Sequence, residues 1–335
     1  MPSLTPGDNL PHGYDQKIFV AGHTGLLGSA LMRRLPVHGY ANVVTRDHQT
    51  LDLTDRAGVA DYLSDERPDT VILTAARVGG ILANSSFPAE FIETNLSIQT
   101  SVIEGARKAG VQRLIFFGSN CAYPAETAEL IREEQLFTGP LESSSAAYAV
   151  AKIAGMQMCA AYNAQYGTSY MSIIPATLYG PGDNMDPATS HVLGALLQKY
   201  QDAVTGGDAP VIWGTGEPRR EFLFADDLAD ACATLIGLDT EAIDRLCGAT
   251  GYIVNAGSGQ DVSIKELAGL IGDVVGYDGP SSFDRSRPDG MKRRLLDSSR
   301  LSTLGWRPAV TLEDGIRRTH EWLLKSREMA TDGLR

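Results

Sequence analysis

Tyr148 and Lys152 stand four residues apart in a stretch, residues 147–166, that reads as a long helix, so both side chains leave one face. A lysine ammonium held near a phenol favours the phenolate and lowers its pKa. Such a tyrosine can protonate a ketone oxygen at neutral pH while hydride arrives on the carbon. Lys152 is also placed to hydrogen-bond the ribose of a nicotinamide cofactor. A YxxxK pair alone is equally an ordinary feature of a surface helix. Ser119 separates the two readings. It lies just past the apolar run Arg113–Phe117, the pattern of a strand buried on both faces, and ligands in parallel sheets bind at the carboxyl ends of strands. Its hydroxyl can hold a carbonyl beside Tyr148.

The elements that must position these groups begin with the β-run 17–21 (KIFVA), which feeds into Gly22-His23-Thr24-Gly25-Leu26-Leu27-Gly28 and then a helix over 29–35. Glycines so spaced let the chain turn tightly, approach a pyrophosphate and pack helix on strand, with the helix amides facing the phosphates. This predicts a dinucleotide site. The second strand, 42–45, is followed by Arg46, suited to the 2′-phosphate of NADP, and by Asp47, which suits either the ribose hydroxyls of NAD or plain solvation. NADP(H) is the expected cofactor, with NAD(H) as the alternative. Asp52 and Leu53, placed after the third strand, are expected to border the adenine. Ala75 and Ala76 beyond the run 70–74, and Pro175 and Leu178 beyond 170–174, are assigned to the cofactor with Lys152 and His191.

Strands alternating with helices, among them 91–108 and 147–166, predict βαβ units and an α/β, Rossmann-type doubly wound parallel sheet. After Tyr179 the texture changes to Gly- and Pro-rich loops and short strands, followed by a core strand at Ile253–Ala256, a helix at Ile264–Val275, a basic loop over 283–296 and an amphipathic helix over 312–325. The expected division is a flexible leader over 1–16, a cofactor domain over 17–180 and 225–258, and a smaller substrate lobe over 181–224 and 259–335. A length of 335 residues, 43% hydrophobic, fits this plan, and a net charge of −12 argues against general nucleic-acid binding. No window approaches a membrane span, and the N-terminus lacks a signal pattern, so a cytoplasmic protein is expected. Cys121, Cys159, Cys232 and Cys247 form no CxxC pair and no metal cluster.

Several longer stretches resemble the GDP-L-fucose synthase family (GDP-4-keto-6-deoxymannose 3,5-epimerase/4-reductases) of extended short-chain dehydrogenases: VAGHTGLLGSAL (20–31), ARVGGILANSSFPAEFIETNL (76–96), GSNCAYP (118–124), YAVAKIAG (148–155), LYGPGDN (178–184), SHVLGALL (190–197), WGTGEPRREFL (213–223) and RPDG (287–290). The resemblance implies epimerisation before reduction, with Cys121 as base and His191 as acid beside Ser119, Tyr148 and Lys152. It implies Trp213, Arg220, Lys199 and Asp289 as contacts to a GDP-linked 4-keto sugar, and a homodimer formed through the two long helices. Without it, Cys121 reads as a buried hydrophobe and His191 as a loop histidine. Arg219, Lys292, Arg293 and Arg294 read mostly as solvated surface charges. Thr24, Ala146-Ala147 and Lys199 depart from the family pattern, which keeps another 4-keto nucleotide sugar, such as a GDP-heptose, open as substrate.

Overall fold

The computed structural model describes residues 13–287 and 289–332; the side chains of 330–332 are left aside, and residues 1–12 of the expected leader lie outside this range. Of the four leader residues that are described, Gln16 is buried, Gly13 and Tyr14 are half-buried and Asp15 is exposed. The Tyr14 ring meets Tyr40 at a tilt of 56° with centroids 5.7 Å apart, and Gln16, 3% exposed, accepts the Thr70 hydroxyl at 2.8 Å.

The chain runs β1 (Ile18–Ala21), α1 (Leu26–Arg34), β2 (Val43–Val44), α2 (Arg56–Glu66), β3 (Thr70–Leu73), α3 (Ile81–Ser86), α4 (Pro88–Lys108), β4 (Arg113–Phe117), α5 (Ala146–Tyr166), β5 (Ser169–Pro175) and β6 (Thr177–Tyr179). It continues α6 (Val192–Val204), β7 (Val211–Trp213), β8 (Arg219–Phe224), α7 (Ala225–Ile236), α8 (Thr240–Cys247), β9 (Ile253–Ala256), β10 (Asp261–Ser263), α9 (Ile264–Val275), β11 (Ser282–Asp284), β12 (Arg293–Arg294), α10 (Ser299–Thr303) and α11 (Leu312–Asp332).

Six strands form one parallel sheet in the order β2-β1-β3-β4-β5-β9, the doubly wound arrangement expected. β1, β3, β4 and β9 are buried along their whole length because helices cover both faces, which is why they read as unbroken apolar runs. The chain leaves β1 toward β2 and returns to β3 on the other side of β1. That reversal opens a crevice at the carboxyl ends of β1 and β3. The segment 51–54 leads from β2 into α2, so it follows the second strand and not the third as expected.

The inner stripe of α4, Phe91, Val102 and Ala106, is buried, the last two within the sheet core, so it serves packing and not an interface. A smaller sheet joins β10, β8 and β12, with β6 pairing the end of β8. β11 pairs β7 beside it; β7 lies in the region read as short-stranded, whereas β11 and β12 are short strands at the two ends of the stretch 283–296 that the sequence suggested was loop. α9 starts with a reciprocal cap between Ser263 and Glu266. Two apolar cores result, and the tail crosses between them, since Leu296, Leu301 and Trp306 belong to the first core while Ile316 and Leu323 belong to the second.

Candidate active site

The glycine turn sits at the mouth of the crevice. Gly22 has φ +100°, and a Cβ there would lie 2.6 Å from the Ala75 amide nitrogen. A Cβ on Gly28 would lie 2.0 Å from the Gly22 carbonyl oxygen. Both positions therefore exclude any side chain. Gly25 caps α1 without a side-chain bond, leaving the amides of the first helical turn for an anion. Thr24 and Gly25 are exposed beside half-buried Leu26, while Leu27 packs into the core. His23 Nδ1 is buried without a protein partner. Gly182 lies against Ser29 and Leu26, so the loop after β6 closes over the start of α1. This cradle fits a dinucleotide pyrophosphate; Ala75 abuts Gly22 just beyond β3 with Ala76 next in the chain, Pro175 ends β5 and Leu178 is the middle residue of β6.

The ribose end differs from expectation. Arg46 is turned away from the turn: Nη2 lies 3.3 Å from Glu66 Oε2, Nη1 donates to the Thr45 carbonyl at 2.7 Å, and the guanidinium stacks over Tyr62 at 4.8 Å. Asp47 is exposed, and bonds from the Thr50 hydroxyl at 2.7 Å and amide at 2.8 Å hold its carboxyl below the usual range. Asp52 is used locally, accepting from the Thr54 amide and hydroxyl.

Beyond β4, Ser119 opens a single helical turn over Asn120–Ala122, and its hydroxyl accepts the Cys121 amide at 3.2 Å. The Tyr148 phenol, on the first turn of α5, lies near enough to this hydroxyl for Ser119 to favour its ionised form. Lys152, one turn on and 4% exposed, donates to the Phe117 carbonyl at 2.9 Å and lies 5.9 Å from the Tyr148 ring centre. Burial lowers Lys152 to about 7. The Tyr148 pKa is raised, not lowered as the sequence suggested: desolvation dominates, the Cys121 charge adds to it, and the Ser119 hydroxyl opposes it. The lysine fails to depress the phenol because it is itself desolvated and bonded to the Phe117 carbonyl. Tyr148 is therefore a protonated acid near neutral pH.

Cys121 is half-buried, with Sγ 3.8 Å from Asn120 Oδ1, and is electrostatically coupled to Arg220 and Arg294. These two arginines are direct neighbours because β12 pairs β8 with Arg294 opposite Arg220. His191 precedes the first residue of α6, where the cleft walls desolvate its imidazole and lower its pKa although the residue remains open to the cleft. Its approach is set by the VGGI turn. Gly80 donates to the Thr189 carbonyl at 2.9 Å, and a Cβ there would sit 2.5 Å from the Ser190 carbonyl oxygen.

On the second lobe, exposed Trp213 is flanked by Lys199 Nζ at 5.4 Å and Arg287 at 4.9 Å from its ring. Lys199 also donates to the Val211 carbonyl at 2.8 Å. Arg220 Nη1 donates to the Arg219 carbonyl at 2.8 Å. Asp289 holds the turn itself, accepting the Thr215 amide at 2.6 Å and hydroxyl at 2.9 Å. Sequence reasoning missed two cations here. Arg287 flanks the tryptophan. Arg294, expected among solvated charges, is 3% exposed; Nη2 donates to the Pro124 carbonyl at 2.8 Å, and Nε and Nη1 find no partner. Strand pairing across 74 positions buries it, which no local pattern reveals. Arg219 and Arg293 share the Asp261 carboxylate. Among the described residues no group of three or more His, Cys, Asp or Glu could hold a metal, and no helix is long and apolar enough to cross a membrane.

A dinucleotide cradle beside a Ser–Tyr–Lys set defines a nicotinamide-dependent carbonyl reductase of the short-chain dehydrogenase type. The model of the NAD dependent epimerase/dehydratase family matches residues 18–244. GDP-L-fucose synthase 1 of Arabidopsis thaliana is 50% identical over 92% of this chain and 94% of its own length, and the GDP-L-fucose synthase of Escherichia coli K12 is 43% identical over 93% and 98%. Among solved structures, a GDP-6-OMe-4-keto-L-xylo-heptose reductase from C. jejuni is 35% identical with a TM-score of 0.87, covering 93% of this chain and 99% of that one. An NADP-bound GDP-L-fucose synthetase from Naegleria fowleri is 27% identical with a TM-score of 0.82, covering 94% and 95%. The chain belongs to the GDP-L-fucose synthase family of extended short-chain dehydrogenases.

Proposed function

We propose that this chain converts GDP-4-keto-6-deoxy-D-mannose to GDP-L-fucose by 3,5-epimerisation and NADPH-dependent reduction at C4. One observation carries the reading: Ser119, Tyr148 and Lys152 converge at the end of β4 with Cys121 on the same turn. The identity to fucose synthases, 43–50% for the Arabidopsis and Escherichia coli enzymes, favours this sugar over the heptose of the C. jejuni reductase at 35%.

Ser119 and Tyr148 hold the C4 carbonyl oxygen and donate hydrogen bonds to the enolate that forms when a proton leaves C3 or C5. Cys121 removes that proton, and His191 returns one on the opposite face. The reduced nicotinamide supplies hydride to C4. Tyr148 then gives its proton to the oxygen, and Lys152 orients the cofactor ribose. Trp213, Lys199 and Arg220 bind the nucleotide diphosphate, with Asp289 shaping their turn. The expected lobe boundaries, a cytoplasmic location and a homodimer belong to the same reading.

The test is incubation of the protein with this 4-keto sugar and NADPH, following nicotinamide absorbance and identifying the product sugar. The reading predicts NADPH consumption with GDP-L-fucose as product. No consumption, or a product still bearing the manno configuration, would overturn it.

A further inference from the structure

Arg46 stands two residues beyond β2, where dinucleotide folds read the adenosine ribose. Its guanidinium is drawn back along α2 instead, over the Tyr62 ring and onto Glu66. Glu66 is the last residue of α2, and its other oxygen receives Lys17 Nζ at 3.0 Å. Lys17 precedes β1, so this carboxylate lies toward the amino edge of the sheet, away from the glycine turn. The Glu66 side chain is 20% exposed and both its oxygens are engaged. The pair is reinforced by the cation–ring contact, so Arg46 is held by more than a single surface ion pair.

With Arg46 so held, the residue that follows it beyond β2 offers a carboxylate in place of a guanidinium. Asp47 is exposed, with one oxygen accepting the Thr50 amide at 2.8 Å and hydroxyl at 2.7 Å, and Thr24 in the turn adds no charge. An acid so placed accepts ribose hydroxyls, whereas a 2′-phosphate calls for a guanidinium.

We propose that Glu66 sets cofactor choice in this chain: by holding Arg46 it withholds the partner of the 2′-phosphate, so NAD(H) is accepted alongside NADP(H). This rests on the dinucleotide reading of the turn and is independent of which sugar is reduced.

The experiment measures dissociation constants for NADP+ and NAD+ by calorimetry, without sugar, on the intact protein and on Glu66→Gln, Arg46→Ala, the double variant and Lys17→Met. The unaltered protein is expected to bind the two cofactors within about tenfold of each other, a difference of one modest contact. Glu66→Gln should tighten NADP+ about three- to fivefold, the scale of releasing one exposed ion pair, and leave NAD+ unchanged. Arg46→Ala should abolish that gain in the double variant. Lys17→Met removes the other ion pair of Glu66 and should not alter the preference, which separates selectivity from a general effect on α2. The proposal is overturned if Glu66→Gln leaves NADP+ affinity unchanged, if its gain persists without Arg46, or if Lys17→Met reproduces it. A preference for NADP+ above about a hundredfold in the unaltered protein also overturns it, since Arg46 would then be free to serve the phosphate. Failure of the sugar assay would leave all these binding outcomes interpretable.

Discussion

At the residue scale, Lys152 sets catalysis against stability. An amine assigned to the cofactor ribose in the proposed mechanism is buried with the Phe117 carbonyl as its acceptor, and burial lowers its pKa from 10.5 to about 7. The folded state then binds fewer protons than the unfolded chain between about pH 7 and about pH 10.4, so stability from this position rises with pH across that window. Below about pH 7 both states are protonated and the full cost of desolvating an ammonium applies. Lys152→Met is therefore expected to stabilise the ligand-free protein by about 1–3 kcal/mol near pH 6, with the gain shrinking toward pH 10. Turnover should fall by about a hundredfold or more. Urea unfolding at several pH values checks the first outcome. A variant that is less stable than the parent near neutrality would show that the bond to Phe117 outweighs desolvation.

At the element scale, the short turn between β4 and Tyr123 carries both Ser119 and Cys121 and is pinned at each end. One end continues β4. At the other, fully buried Tyr123 donates to Asn255 Oδ1 at 2.6 Å, and the Asn255 amide in turn bonds to buried Glu133 at 2.8 Å. Tyr148 and Lys152 are held separately by α5. Tyr123→Phe should therefore slow deuterium exchange from solvent into C3 and C5 about tenfold, with stability reduced by about 1–3 kcal/mol for the acceptor left unpaired. Oxidation of GDP-L-fucose by NADP+, which needs no proton transfer at Cys121, should change by less than about threefold. Equal losses in both assays would assign Tyr123 to general packing. Such pairs mark the limit of what sequence shows. The glycine turn and the Tyr148–Lys152 spacing are local, and β4 and β9 announce themselves by full burial, so these were legible. β2 shrank to two half-exposed residues at the sheet edge, and α2, with only Val59 and Leu63 buried, carries little periodic signal. Tyr123 and Asn255 are 132 positions apart, and the Arg46–Glu66 pair depends on which way one long side chain turns.

At the scale of the whole molecule, two cores meet at a cleft whose chemistry comes from both, and one large surface takes part in neither. α4 and α5 lie side by side, with inner faces sealed against the sheet: Val102, Ile103 and Ala106 on one, Ala149, Met156 and Cys159 on the other. Ile92 and Leu96 on α4 and Val150 on α5 belong to neither core, and Val150 is 44% exposed. Two such pairs, each of parallel helices, placed face to face about a two-fold axis make a four-helix bundle, a self-complementary way to cover such residues. Each large side chain so covered contributes about 1.5–3 kcal/mol per copy, enough that a few of them decide association. The double variant Leu96→Lys with Val150→Glu places charges on that face while leaving the glycine turn untouched. Sedimentation at micromolar concentration is expected to give a dimer for the parent chain and a monomer for the variant, with NADP+ affinity retained. A variant that still sediments as a dimer would move the interface elsewhere, and a parent chain that sediments as a monomer would remove the homodimer from the proposed function.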